Sequence, residues 1–397
     1  MIKKKIFCSL FSVLLMLVYI IAPSTKTWAK EDVPTIKEFQ SFIQKELAEE
    51  SEKYIKGELD TIRTLIHSCK EDLDITVDAT TRLELGKPFV IYTLDRDEQE
   101  ESVYYPLVDE ENRIIKAVIT VVNTTEGWQY TISEDWAEKL NDADYLNQDY
   151  LFYQNEGNIT AQSKDQKIII NGGSVKDDFD DKSINVKEKT IKKKMKKWRK
   201  LDIRRSKKSG KGIGYGYSPT MSQHSGGYYC FNLHKAQGQG KFYTCWAAAA
   251  ATTINYRRGT NYSTIDIVES LGLTDQTGYG IKVINRTINE HGLNYKYIET
   301  VPSSKILINS IKKKWPVVIG GYSDIKIYGK KDGHAVTVIG YRILNGKKYY
   351  MLWDSALNDG KGGTSTVLQG KSNIVFSSGG INFATNAASY YRSISYK

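Results

Sequence analysis

Gln239-Gly-Lys-Phe-Tyr-Thr-Cys245-Trp-Ala-Ala-Ala-Ala-Ala-Thr-Thr-Ile-Asn-Tyr-Arg-Arg-Gly259 is the stretch on which the reading of this chain turns. Ala has the best helix propensity of any residue, and Gly after a last turn suits the left-handed cap that ends many helices. The stretch therefore predicts a helix that opens at Cys245. A thiol there feels the positive end of the helix dipole, which favours the thiolate, the nucleophilic form. The same letters also suit an inert cysteine in a buried Ala/Trp helix, because free Cys is among the most buried residue types.

Three residues outside the helix bear on that choice. Gln239 stands six positions before the cysteine, where a side-chain amide, with the Cys245 N–H, suits donation to a developing oxyanion. His334 opens the strand-like run Gly333-His-Ala-Val-Thr-Val-Ile-Gly-Tyr, 89 residues after the cysteine. An imidazole entering a strand from a glycine turn can face a cleft and take a thiol proton. Asp354 ends the neighbouring run Lys348-Tyr-Tyr-Met-Leu-Trp-Asp, 20 residues after His334, across a turn at Asn345-Gly346. A carboxylate there would hold the ring and stabilise imidazolium.

In its Gln-Gly-x4-Cys-Trp-Ala and Gly-His-Ala-Val-x-Val-x-Gly-Tyr motifs, followed by a polar strand end, the chain resembles the papain-like cysteine peptidases, and within them the secreted bacterial staphopain type. The resemblance spans about 150 residues of 397. It implies Cys245 as nucleophile, His334 as base, Gln239 as oxyanion donor and Asp354 as the orienting residue. Papain has Asn in that third place, followed by Ser-Trp; here Trp353 precedes Asp354 and Ser355 follows it. An Asp third residue is similar to the peptidase domains that trim bacteriocin leaders. Asn358 is the alternative for the third role. Gly278, Tyr279 and Gly333 are candidate substrate-binding residues, with a plain helix-entry loop as the other reading of 278–280. No cofactor and no metal are expected.

Outward from the site, residues 213–397 read as α+β, helices first and strands second. Helical patterns are expected at 264–271, 281–290 and 303–313, and strands from Pro316 onward. Residues 30–185 read as a separate α+β unit. Ile36, Phe39, Phe42, Ile43 and Leu47 repeat at helical spacing, and runs at 88–93, 103–108, 114–122 and 128–133 read as strands. The resemblance implies that this unit is an inhibitory prodomain.

Charge separates the two halves. The chain carries +10 overall, yet residues 186–212 alone hold 14 Lys/Arg against two acids, leaving 42 basic and 44 acidic residues elsewhere. The high isoelectric point is thus no mark of a nucleic-acid-binding domain. A like-charge run of this density is expected to be mobile or held at the surface. It reads either as a contact for an anionic surface or as an exposed activation linker. The cut is expected between Lys200 and Gly216.

At the amino terminus, Lys3–Lys5, an apolar run over 6–22 and Thr27-Trp28-Ala29 read as a secretory signal cleaved after Ala29. The other reading is an uncleaved membrane anchor, for which 17 residues is short. With 40% hydrophobic and 11% aromatic residues, the remainder can build packed cores, and four Cys are too few for a disulfide scaffold. Cys69, Cys230, His67, His224, His234 and His291 have ordinary structural readings. The expected protein is a secreted cysteine endopeptidase, a monomer acting on polypeptides. Two other classes fit the letters: a surface-binding protein on this scaffold, and an amidase or acyl transferase using the same Cys-His pair.

Overall fold

The helix expected at Cys245 forms as Cys245–Arg258, and every residue from Cys245 to Asn255 is buried. A helix apolar on all sides belongs inside a core, and its alanines let neighbours approach closely. Gly259 closes it with φ 71 and returns its N–H to the Asn255 carbonyl.

The computed structural model describes residues 47, 49–70, 73–94, 98–155, 158–171, 197–201, 228–231, 235–240, 242–273, 278–327 and 330–392. The signal read at 1–29, the helical pattern at 36–46, His224, His234 and most of the basic run lie outside the described residues. Residues Met1–Thr35 form one unit and Ile36–Lys397 a second, which holds everything below. No helix among the described residues is long and apolar enough to cross a membrane.

The amino-terminal part begins with α1 (Glu49–Cys69), whose Ile55, Ile62, Leu65, Ile66 and Cys69 are buried along one stripe. Strands β1 (Leu83–Leu85), β2 (Ile91–Thr93), β3 (Glu98–Glu100), β4 (Ser102–Asp109), β5 (Ile114–Thr124) and β6 (Gly127–Ser133) follow. Next come α2 (Ala137–Asp142) and β7 (Leu151–Asn155), β8 (Asn158–Gln162) and β9 (Lys167–Asn171). β4, β5 and β6 are antiparallel neighbours, while β2 adds to β7 in parallel. The strands at 151–171 had no counterpart in the sequence reading.

Part of the basic run is ordered differently from a free surface segment. Its β10 (Lys197–Arg199) pairs in parallel with β3, placing Lys197 and Arg199 opposite Glu98 and Glu100. Leu201 bridges to Thr124 and is buried with Val122, Val375 and Ala384.

The carboxy-terminal part contains β11 (Tyr228–Cys230), α3 (Cys245–Arg258), α4 (Thr264–Ser270), α5 (Ile281–Glu290) and β12 (Tyr295–Ile298). It continues with α6 (Ser304–Lys312), β13 (Val317–Ile327), β14 (Lys330–Leu344), β15 (Lys347–Asp354), α7 (Leu357–Gly360), β16 (Gly363–Leu368), β17 (Val375–Ser378) and β18 (Ile381–Tyr391). The fold is α+β: α3, α4 and α5 pack together around Trp246, Ile254, Ile267 and Ile284, against Val318 and Ala335 of the sheet.

The two halves share that sheet. Its order runs β1-β4-β5-β6-β16-β15-β14-β13-β18-β12, with β11 on β14 and β17 on β18. β6 meets β16 antiparallel, Thr131 opposite Val367. One hydrophobic cluster contains Ile119, Tyr130 and Ile132 from the first half and Tyr349, Tyr350, Leu352 and Val367 from the second. The Tyr130 hydroxyl donates to that of Tyr349 at 3.2 Å inside it. A fully buried large apolar side chain contributes about 1.5–3 kcal/mol, so this seam is a substantial part of the fold.

Candidate active site

Three elements deliver the candidate side chains. α3 brings Cys245 in its first turn. β14 brings His334, paired with Gly321 of β13, and Gly333 beside it pairs with Tyr322. β15 ends at Asp354, and its register of Thr337 with Trp353 sets that carboxylate one diagonal step from His334.

His334 Nε2 and Asp354 Oδ1 are 2.6 Å apart, and both residues are buried, Asp354 to 1% exposure. Since Asp354 occupies Nε2, the other ring nitrogen is left for the Cys245 sulfur, which lies within hydrogen-bonding reach of the ring. Burial drives the His334 pKa down. The Asp354 charge and hydrogen bond, then the Cys245 contact, outweigh it and hold the value well above 6.5. For Asp354, burial pushes up. His334, the Ala356 N–H and the Ser378 hydroxyl prevail and keep it below its usual 3.8. The pair therefore favours imidazolium beside carboxylate.

Phe383 and Phe376 stand over the imidazole, their ring centroids 5.3 and 6.1 Å from its own, and both are buried. The side chains of the His334–Asp354 pair are themselves almost fully out of solvent. Trp353, the aromatic neighbour of Asp354 in sequence, instead donates its indole N–H to the Gln237 carbonyl at 2.9 Å.

Gln239 is fixed at several points. Its backbone N–H donates to the Ser355 carbonyl, and its side-chain oxygen accepts from Ser355 Oγ, each at 3.0 Å. Its amide nitrogen donates one proton to the Phe242 carbonyl at 3.0 Å, and an amide has a second to give. Close backbone contact ties this segment to the α7 loop. A Cβ at Gly360 would lie 2.0 Å from the Gly240 carbonyl oxygen, and one at Gly238 would lie 2.2 Å from the Gly360 oxygen. Only glycine fits either place.

Asn358, the alternative third residue, sits away from His334. Its side chain donates to Glu134 and to the Gly362 carbonyl. Gly278 is exposed and comes near the Tyr243 carbonyl, two residues before the cysteine. Tyr279 is half-buried, its ring edge-on to Trp246 at 5.2 Å. Gly333 is exposed beside the ring of Tyr322, which is itself 49% exposed. Cys69 is buried at the end of α1 and Cys230 half-buried on β11. His67 lies in the last turn of α1, and His291 caps α5 with Nδ1 2.9 Å from the Thr287 carbonyl. Among the described residues, no group of three or more His, Cys, Asp or Glu is arranged to hold a metal ion.

Sequence reasoning missed Ser355, Ser378, Phe376 and Phe383. Ser355 was visible as the neighbour of Asp354. The phenylalanines carried no signal beyond strand alternation.

Residues 217–376 match the Peptidase_C39 like family. That match takes in Cys245, His334 and Asp354. No curated protein matches the chain. Among solved structures, a digestive procathepsin L 3 from the larval midgut of Tenebrio molitor is similar at 14% identity and a TM-score of 0.29, over 48% of this chain and 75% of its own. A structure from work on the mite allergens Blo t 1 and Der p 1 is similar at 18% identity and a TM-score of 0.30, over 47% and 74%.

Proposed function

We propose that the protein is a secreted cysteine endopeptidase that hydrolyses peptide bonds through Cys245, His334 and Asp354. The observation that carries this reading is the buried His334 ring, bonded to Asp354 at 2.6 Å and within reach of the Cys245 sulfur. The sulfur attacks the scissile carbonyl carbon, and the proton passes to, or already resides on, His334. The oxyanion accepts from the Cys245 N–H, left without an intrahelical partner in the first turn, and from the second amide proton of Gln239. The C–N bond then breaks as His334 protonates the leaving amine. Water, deprotonated by His334, releases the acid from the thioester and restores the thiol.

The lysines and apolar run at the amino terminus support export. The basic residues at 202–211 offer cutting sites beyond Leu201, whose burial argues against cleavage upstream of it. Cys245→Ala in the full chain is expected to retain its melting midpoint and to lose peptidase activity by about 10⁵-fold or more. Undiminished cleavage by that variant would remove the proposal. Mass spectrometry of the exported protein should show a new amino terminus at Lys30, with a second between 202 and 216 after processing.

A further inference from the structure

The turn at residues 133–136, between β6 and α2, meets the α7 loop at its most constrained point. Asn358 and Asp359 both have left-handed backbone, φ 52 and 56, followed by Gly360 at φ 84. Non-glycine residues persist in that region only where their surroundings fix them. Here the surroundings come from the amino-terminal half. Asp135 Oδ1 accepts the Asn358 backbone N–H at 3.3 Å, and Glu134 Oε1 accepts from the Asn358 side chain at 3.1 Å. Lys139 pairs with both carboxylate oxygens of Asp359 at 3.0 Å.

The other side of the same loop reaches the site. The Ala356 N–H donates to Asp354 Oδ1 at 2.9 Å, Ser355 holds Gln239, and the Gly360 carbonyl accepts the Gly240 N–H at 2.9 Å. We propose that Glu134 and Asp135 are positioning residues of the peptidase: by fixing the left-handed backbone at 358–360 they set Asp354 and Gln239 against His334 and Cys245. The proposal rests on the peptidase reading. It makes the amino-terminal half a working part of the enzyme, where an inhibitory prodomain would only have to cover the cleft. Loss of solvent around the Asp135 carboxyl, with the Asp354 charge adding to it against the Asn358 bond, pushes its pKa up to about 7.

The test uses the full chain, processed as it is by the cell, in three variants: Asp135→Ala, Asp135→Asn and Asn358→Gly. Asn358→Gly removes the side chain that Glu134 grips, and glycine accepts the φ of 52 without strain, so folding is expected to survive. Asp135→Ala and Asn358→Gly should lower kcat by at least ~10-fold with KM and melting midpoint near wild type. Asp135→Asn, which keeps an oxygen for the Asn358 N–H, should restore kcat. The alkylation rate of Cys245 by iodoacetamide should fall in step; it needs no substrate and so still decides the matter if the wild-type protein cleaves no peptide. Wild-type kcat and labelling in Asn358→Gly would overturn the proposal, even were Asp135→Ala to fail to fold. A rise in kcat would overturn it too, because weakening an inhibitory domain's grip releases activity.

Discussion

Cys245 and Asp354 reach His334 on two regions built in opposite ways. Cys245 stands on a regular helix sunk in apolar side chains, with Trp246, Ala247, Ala250 and Ile254 wholly buried. Asp354 begins a stretch of irregular backbone in which Asn358, Asp359, Gly360 and Gly362 all have positive φ. Burial holds the helix without direction, through many small contacts. The loop is held by individually aimed hydrogen bonds and by backbone packed so closely that two positions admit only glycine. Close packing on every side limits how far the helix can shift. A directed network of strained residues transmits a small shift. Changes in the loop should therefore strike activity before stability, and changes along the helix beyond Cys245 should do the reverse.

The sharpest test of that contrast is Asp354→Asn, nearly equal in volume. Loss of the charge should cut kcat by on the order of 10³–10⁴-fold while the fold persists. The pH profile should move as well. With its pKa raised above 6.5, His334 contributes stability that is fully present below 6.5 and lost as pH rises through the folded value. Asp354 is the largest of the causes that raise it, so the alkaline limb of kcat/KM should shift to lower pH in the variant. An unmoved limb would mean that something other than Asp354 keeps the imidazole charged.

Gly360→Ala tests the backbone side of the loop. Its Cβ would lie 2.0 Å from the Gly240 oxygen at a φ of 84, so the Gln239 segment and the α7 loop must separate. The expected cost is about 2–4 kcal/mol of stability in denaturant titration, with at least ~10²-fold lost from kcat/KM as the oxyanion donor is displaced. Retained activity would show that Gln239 holds its place without this contact.

A smaller effect is expected for stability against pH in Asp135→Asn. Asp135 keeps its proton in the folded state up to about pH 7, whereas the unfolded chain releases it near the usual 3.8. The folded protein then binds more protons between those values, so stability falls as pH rises across that window. The carboxyl faces the Asn358 N–H, Asp354, Lys139 and Asp359, and its ionisation adds a like charge to two of these. The Asn variant should lack this component of the fall, seen as a smaller loss of melting temperature from pH ~5 to pH ~8. Identical slopes for the two proteins would contradict the raised value.

The regular half of the site was legible and the irregular half largely was not, for one physical reason. Cys245 and Gly259 bracket a helix whose signals are local, and the run from His334 has the alternation of a strand. Asp354 was reachable because β14 and β15 are joined by a short turn at Asn345-Gly346. The grip of Ser355 on Gln239 joins residues 116 apart, and that of Asp135 on Asn358 joins residues 223 apart. No periodicity in either segment reports on the other. The continuous sheet escaped notice similarly. The run of β6 alternates as a strand, the run of β16 lies among glycine-rich turns, and nothing in Thr131 or Val367 names its partner. At 197–201 the charge density carried no sign of the pairing between β10 and β3, far off in sequence.

The smallest effect belongs to the far end of α3. Gly259 adopts φ 71, and the nearest atom to an added Cβ would be the Lys235 ammonium at 3.9 Å, an ordinary contact. Gly259→Ala thus costs only the backbone term for an L-residue in the left-handed region, about 1 kcal/mol. That corresponds to a fall of roughly 2–4 °C in melting temperature for a domain of this size. Lys235 Nζ still reaches the Gly259 carbonyl, at 2.7 Å in the parent, so the cap keeps its anchor. Cys245 lies at the other end of a helix buried along its first three turns, and kcat and its pH profile should be unchanged within error. A loss of kcat in this variant, at matched temperature below the midpoint, would mean that α3 passes strain along its length as the α7 loop does, and the division between the two regions would fail.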